Sequence, residues 1–425
     1  MTKHVVETIK TILIVLLTLC AIALTLLAFS GSSFSGISWI NRIISNLTQQ
    51  THYTIEPYES GSSAKDAALP TQISVKNSLG RATFQRSAST LESAYNTLGS
   101  LLGEALESLT LPGETLSERQ WTQALQSESV YFRYSGLLPV SLISTWLDVQ
   151  TPLDASAHVF LLEIHEEVVQ LVCRTEGSIT RYDTALSADQ LKEALEGFRP
   201  DGSAFACELS DEVFSRLADD SLLSMERVIQ LSAAACTNPL DNALSQQLAT
   251  NLGMNPYGNF YTTTDGTTVY EEASRTLRVS ANGHIELRNA NLSNEQLCAS
   301  STSDADLSEF SVQLLQKLCS SVLADAQLSL VGIERTAAAT TLQFDYTLSG
   351  IPVQLSGQSH AAELTFSGRS LTKFTIYLRS YTFSSEMLTL LPEKQAAAVV
   401  QDGSVLELHY LDTGSSELSA GWNKE

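Results

Sequence analysis

The widest break in the alternation of polar and apolar residues comes near the start of the chain. Residues 11–29 (TILIVLLTLCAIALTLLAF) are 19 consecutive uncharged positions, and charge returns only at Arg42. Wound as a helix, such a run reaches about 28 Å, close to the hydrocarbon thickness of a bilayer. The pattern therefore predicts a transmembrane helix. Past it, Ile37, Ile40, Ile44 and Leu47 share one helical face beside Trp39. That spacing predicts a helix that continues outward or turns along the membrane interface, where tryptophan is favoured. Residues 56–70 (EPYESGSSAKDAALP) read as a small-residue linker.

Beyond the linker the periods alternate between two and 3.6. A strand-like TQISV and a turn at Asn77–Gly80 lead into a helix carrying Leu91, Tyr95, Leu98, Leu102, Ala105 and Leu109 on one face. Ser89 and Glu92 have the spacing of a capping box, and so do Ser117 and Gln120 ahead of a second, shorter helix. A strand at 130–134, a short helix from Pro139 to about Leu147, two or three antiparallel strands over 157–182 and a helix over 187–198 follow. A helix holding Leu244 and Leu248 sits at a junction near residues 236–256. The second part repeats the grammar. Strands over 267–272, 276–280 and 284–288 surround the hairpin signal Asn282-Gly283, and a helix spans about 305–323. Strands follow around 327–335, 340–348, 360–366 and 371–382, then a helix near 385–400 and a strand over 405–410. Antiparallel runs separated by single helices define an α+β class of two or three mixed domains behind one transmembrane helix. The expected layout is a cytoplasmic tail (1–10), an anchor (11–29), a juxtamembrane helix and linker (30–70), and two outer α+β regions (71–240, with room for two subdomains, and 241–425).

Charge gives this layout a direction. Lys3 and Lys10 precede the apolar run, so the positive-inside bias places the N-terminus in the cytoplasm and the bulk outside. A cleaved signal peptide, with Ala28-Phe29-Ser30 as its processing site, is the competing reading. The run is longer than the usual apolar core of such peptides, which favours a retained anchor. The net charge is −22, and Lys3, Lys10 and Glu7 contribute +1, so the exported part carries −23. A surface of that sign repels nucleic acid and anionic lipid. Outside the run there are five cysteines, Cys173, Cys207, Cys236, Cys298 and Cys319, at irregular spacing with no C-x-x-C. This is neither a disulfide framework nor a zinc pattern; buried thiols are the expected state, with room for one bridged pair.

Candidate chemistry is sparse. Ser62-Ser63-Ala64-Lys65 matches S-x-x-K, and Ser280-Ala281-Asn282 offers an S-x-N. The first lies in a linker, the second runs into a hairpin turn, and no K-T-G accompanies them, so chance is the better reading. Glu163, His165 and Glu167 would share one face of a strand and could ligate a cation; a solvated strand face is the default. Asp304 and Asp306 read as helix-start residues rather than a calcium loop. No catalytic residue, cofactor or metal set emerges, and the expectation is a protein that is not an enzyme. Thr11, Thr18, Ala21 and Thr25 place small and hydroxyl residues at helical spacing within the span, the types that let membrane helices approach closely. They are the expected partner-binding residues.

Several stretches together resemble the YycH/YycI family of single-span Gram-positive proteins that regulate the WalK (YycG) sensor histidine kinase. The segments are ETIKTILIVLLTLCAIALTLLAF, VYFRYSGLLPVSLISTWL, VYEEASRTLRVSANGHIEL, FDYTLSGIPVQLSG and LHYLDTGSSELSAGWNKE. The resemblance implies a non-enzymatic regulator whose transmembrane helix pairs with the kinase's helices and whose outer domains meet a sister protein. The expected location is the cell membrane, single-pass, with the bulk extracellular. The alternatives are a generic exported envelope-binding or assembly protein, or an exported hydrolase.

Overall fold

A computed structural model describes residues 52–54, 69–85, 89–224, 228–290 and 295–422, all within one compact unit, His52–Glu425. The expected span at 11–29, its outward extension, Thr11, Thr18, Ala21 and Thr25, and the Ser62–Lys65 pattern lie outside the described residues. Among the described residues no helix is long and apolar enough to cross a membrane. The architecture is mixed α+β, with antiparallel pairing dominant and few helices.

In chain order the elements are β1 (His52–Thr54), β2 (Gln72–Asn77), β3 (Gly80–Gln85), α1 (Ser89–Ser108), β4 (Glu114–Thr115), α2 (Glu118–Gln126), β5 (Ser129–Pro139), α3 (Val140–Trp146), β6 (Ser156–His165), β7 (Val168–Arg174), β8 (Ile179–Ser187) and α4 (Ala188–Glu196). A small pair, β9 (Ala204–Phe205) and β10 (Leu222–Leu223), precedes β11 (Val228–Thr237) and α5 (Asn242–Asn251). Then come β12 (Asn259–Thr262), β13 (Thr268–Glu272), β14 (Arg275–Val279), β15 (His284–Asn289), α6 (Asp304–Cys319), β16 (Ala326–Arg335), β17 (Thr340–Leu348) and β18 (Ile351–Leu355). The chain continues through β19 (Ala362–Ser367), β20 (Ser370–Tyr377), β21 (Ser380–Leu388), α7 (Glu393–Ala397), β22 (Leu408–Asp412) and β23 (Ser419–Trp422).

The first sheet runs β3-β2-β5-β6-β7-β8-β4, antiparallel throughout. The second runs β12-β13-β14-β15-β20-β19-β17-β16, again antiparallel. They meet where β5 and β16 lie parallel at Leu137 and Gly332. Gly136 makes that seam possible: a Cβ there would stand 1.7 Å from the carbonyl oxygen of Val331. Beside the second sheet, β18 pairs with β17 and, in parallel, with β22, which carries β23. A further set places β11 between β1 and β21. The junction expected near residue 240 thus lies inside the unit.

Helices α1 and α4 pack on the first sheet, and α3 touches both α1 and α6. Helix α6 covers the second sheet, where Phe310 meets Phe366 edge to face at 5.8 Å. One apolar core therefore runs from Leu91 and Phe132 through Leu307 and Phe344. Each large side chain buried there contributes about 1.5–3 kcal/mol, so the two sheets are held together by packing as well as by the seam. Local signals explain the helix starts. Ser117 with Gln120 and Ser187 with Gln190 both close reciprocal capping boxes, and Asp306 N–H is capped by Ser303 Oγ.

Two expectations are corrected. The helix expected near 385–400 is instead the end of β21 followed by the single turn α7, since β11 offers β21 a ladder and Pro392 delays the helix to Glu393. The strand expected over 405–410 begins only at Leu408, where pairing with β23 starts.

Candidate functional site

The first sheet is covered on both faces, and the face turned away from α1 is unusually polar. Register sets this up. Arg133 of β5 opposes Val159 of β6, which opposes Arg174 of β7, so the two arginines flank Val159 on one face. Tyr131, two residues before Arg133, shares their side of the strand. Into the gap comes Asp220, fully buried, from the loop after the 3₁₀ turn Phe214–Arg216. That loop is tied down by Ser221 N–H to Ala218 O at 2.9 Å and Ala206 N–H to Ser221 O at 2.8 Å.

Asp220 accepts from Tyr131 Oη at 3.0 Å and Arg133 Nη1 at 3.3 Å on one oxygen, and from Arg174 Nη1 at 2.8 Å on the other. Burial by itself would raise its carboxyl; the two guanidinium charges override burial and hold it below the usual carboxylate range. Burial likewise opposes the charge on Arg133, and Glu407, Tyr131 and Asp220 more than restore it. Glu407, from the segment leading into β22, binds Arg133 Nε at 2.7 Å. His158 stands near both arginines: burial first, then their charge, pushes it down to about 4, so its ring is neutral at ordinary pH.

Arg133, His158 and Arg174 line a cleft of about 540 Å3, with Tyr131 and Asp220 buried behind them. The C-terminal segment adds Glu393, Glu407 and Trp422 to the lining, and Ile351 and Pro352 complete it. Both oxygens of Glu393 accept the same Ser224 N–H, at 2.9 and 3.0 Å. Burial lifts its carboxyl to about 6. Trp422 is fixed by Nε1–H to Leu391 O at 2.7 Å. The volume suits a small ligand, and the lining carries charge of both signs, Arg133 and Arg174 with Glu176, Glu393 and Glu407.

The residues singled out in the sequence do not converge here. Glu163, expected on a solvated face, is buried and gripped by Arg181 at 2.7 Å; His165 ends β6, and Glu167 sits in the following turn at φ 73°. They share no site. Asp304 and Asp306 open α6, the former paired with Arg335 and the latter with Ser303 Oγ at 2.8 Å. Ser280 lies at the β14–β15 turn, its hydroxyl 3.1 Å from Thr267 Oγ1. Cys173, Cys207, Cys236, Cys298 and Cys319 are free thiols. Cys236 donates to Asp412 Oδ2 at 3.3 Å, and burial, with that carboxylate, pushes it up to about 12. Among the described residues no group of three His, Cys, Asp or Glu side chains is placed to hold a metal ion.

Arg133, His158, Arg174, Asp220, Glu393 and Glu407 were not singled out by the sequence reading. The one signal available was Arg133 and His158 interrupting otherwise apolar strand runs. What the fold defines is a class, a mixed α+β unit of two antiparallel-dominated sheets with a charged cleft where the C-terminal segment crosses the first. Compared with family models, curated proteins and solved structures, the chain matches none.

Proposed function

We propose that this chain is a membrane-anchored, non-enzymatic regulatory protein: a single transmembrane helix at residues 11–29 holds the unit outside the cell, where it binds partners. The observation that carries the reading is the 19-residue uncharged run with Lys3 and Lys10 before it and one compact acidic unit behind it. A single helix offers no transport path, so it communicates by lateral association. In lipid such association gains nothing from hydrophobicity and depends on close approach and polar contact, which Thr11, Thr18, Ala21 and Thr25 provide. The resemblance to YycH/YycI proteins supports a sensor histidine kinase as the membrane partner and a sister regulatory protein as the outer one. The cleft supports a second reading, an exported envelope-binding protein in which residues 11–29 serve only as an anchor.

Replacing residues 11–29 by an unrelated polyleucine span separates the two. Under the regulatory reading the swapped protein stays in the membrane but loses crosslinking to the kinase and control of its output. Thr18→Leu with Ala21→Leu should do the same in part, weakening a coupling of about 1–3 kcal/mol. Normal regulation by the swapped protein would move the signal to the outer unit and favour the anchor-only reading.

A further inference from the structure

The cleft carries charges that internal pairing leaves incomplete. Arg174 ends β7 with its side chain 30% exposed and spends one nitrogen, Nη1, on Asp220. Its remaining N–H groups have no hydrogen bond or ion pair among the described residues, yet Asp220, itself buried and held by Tyr131 and Arg133, fixes where the guanidinium points. A guanidinium oriented in this way is a preformed carboxylate receptor, because its fork matches two carboxylate oxygens. Arg133 is not free for that task, since Glu407 already occupies its Nε.

In the same lining, Glu393 is incomplete in the complementary sense. A carboxylate offers about four acceptor sites, and here both oxygens share the one Ser224 N–H, with no cationic partner among the described residues. A partly desolvated carboxylate lacking a cation is costly, and an ammonium group entering the cleft would relieve that cost. Ile351, Pro352 and Leu408 of the same lining supply apolar surface for the body of a ligand.

We propose that this cleft binds a small zwitterion of the free amino-acid or short-peptide class, its carboxylate on Arg174 and its ammonium on Glu393. The two contacts come from β7 and from the C-terminal segment, so a bound zwitterion bridges the first sheet to the last part of the chain. The proposal stands whether or not residues 11–29 act on a kinase, and its test uses no kinase.

The test titrates full-length protein in detergent micelles with L-alanine, D-alanine and trialanine, followed by calorimetry and ligand-observed NMR. At least one should bind. For the one that binds, N-acetylation and C-amidation should each weaken binding about tenfold, the usual worth of one charge-assisted contact. Glu393→Gln should weaken the parent ligand and leave the N-acetyl form unchanged; Arg174→Gln should weaken the parent and leave the amide unchanged. The modified ligands test the same contacts on unaltered protein, so a variant that fails to fold does not block the outcome. Absence of binding by all three probes at about 10 mM overturns the proposal. So does equal binding of free, acetylated and amidated forms.

Discussion

At the scale of single residues, the first sheet is organised by carboxylates hidden from water. Glu163 and Asp220 are both buried, and each is matched by guanidinium groups from neighbouring strands, Arg181 for the first and Arg133 with Arg174 for the second. Such pairs contribute little net stability when intact, because desolvation offsets attraction, but removing one partner strands the other charge. Asp220→Asn keeps the shape and removes the charge, leaving two guanidiniums without their shared counter-ion. A loss of about 3–5 kcal/mol is expected, read as a fall in the urea midpoint. The same fact explains why Glu163 was misjudged from sequence. Alternation identifies which face a residue takes, but whether that face meets water depends on what packs over it. Here α2, β9 and β10 cover the polar face, with Tyr131, Trp121 and Phe205 in the same buried cluster.

At the scale of elements, the legible parts were those whose cause is local. The Ser117–Gln120 capping box, the Asn282-Gly283 hairpin and the apolar stripe of α1 are set by residues a few positions apart. The Asn282-Gly283 turn is the clearest case, because Gly283 sits at φ 90° and an added Cβ would approach Leu378 O at 2.7 Å. What was illegible depends on distant partners. The end of β21, residues 385–388, is expected as helix, and the ladder to β11 makes it strand. The cleft was hidden for the same reason, since its charges come from β5, β6, β7, the Asp220 loop, α7 and the lead into β22. Gly136 is another element-scale feature without a local sign. Gly136→Ala would drive a methyl into the Val331 carbonyl, so the β5–β16 seam must shift. The expected cost is at least about 1–3 kcal/mol by analogy with overpacked cores. Limited proteolysis should find faster cutting near the seam than in the wild-type protein, and unchanged cutting would place the seam's tightness elsewhere.

At the scale of the whole molecule, the cleft gives stability a pH dependence with two opposing parts. His158 is lowered to about 4 from 6.5, so its contribution is in place above 6.5 and is lost as pH falls towards 4. Glu393 is raised to about 6 from 4.5, so its contribution is in place below 4.5 and is lost as pH rises through 6. Urea midpoints measured across this range should show His158→Gln flattening the acid-side decline. Glu393→Gln should stabilise near neutral pH and change little below 4.5. A His158→Gln profile that tracks the wild type would mean that other groups set the acid limb.

The reach of the C-terminal segment also dictates an order of assembly. Strands β5 to β8 each pair with the next in line and can zip as soon as they are made. The Asp220 loop cannot be sealed so early, because Leu406 N–H reaches Ser221 Oγ across 185 residues of chain, and Trp422 packs with Phe214 and Leu223. A chain delivered N-terminus first therefore waits, its polar face only partly covered, until its closing strands arrive. Loss of the final thirty or so residues would strike the first sheet, the oldest part of the fold, rather than the end of the chain where the cut was made.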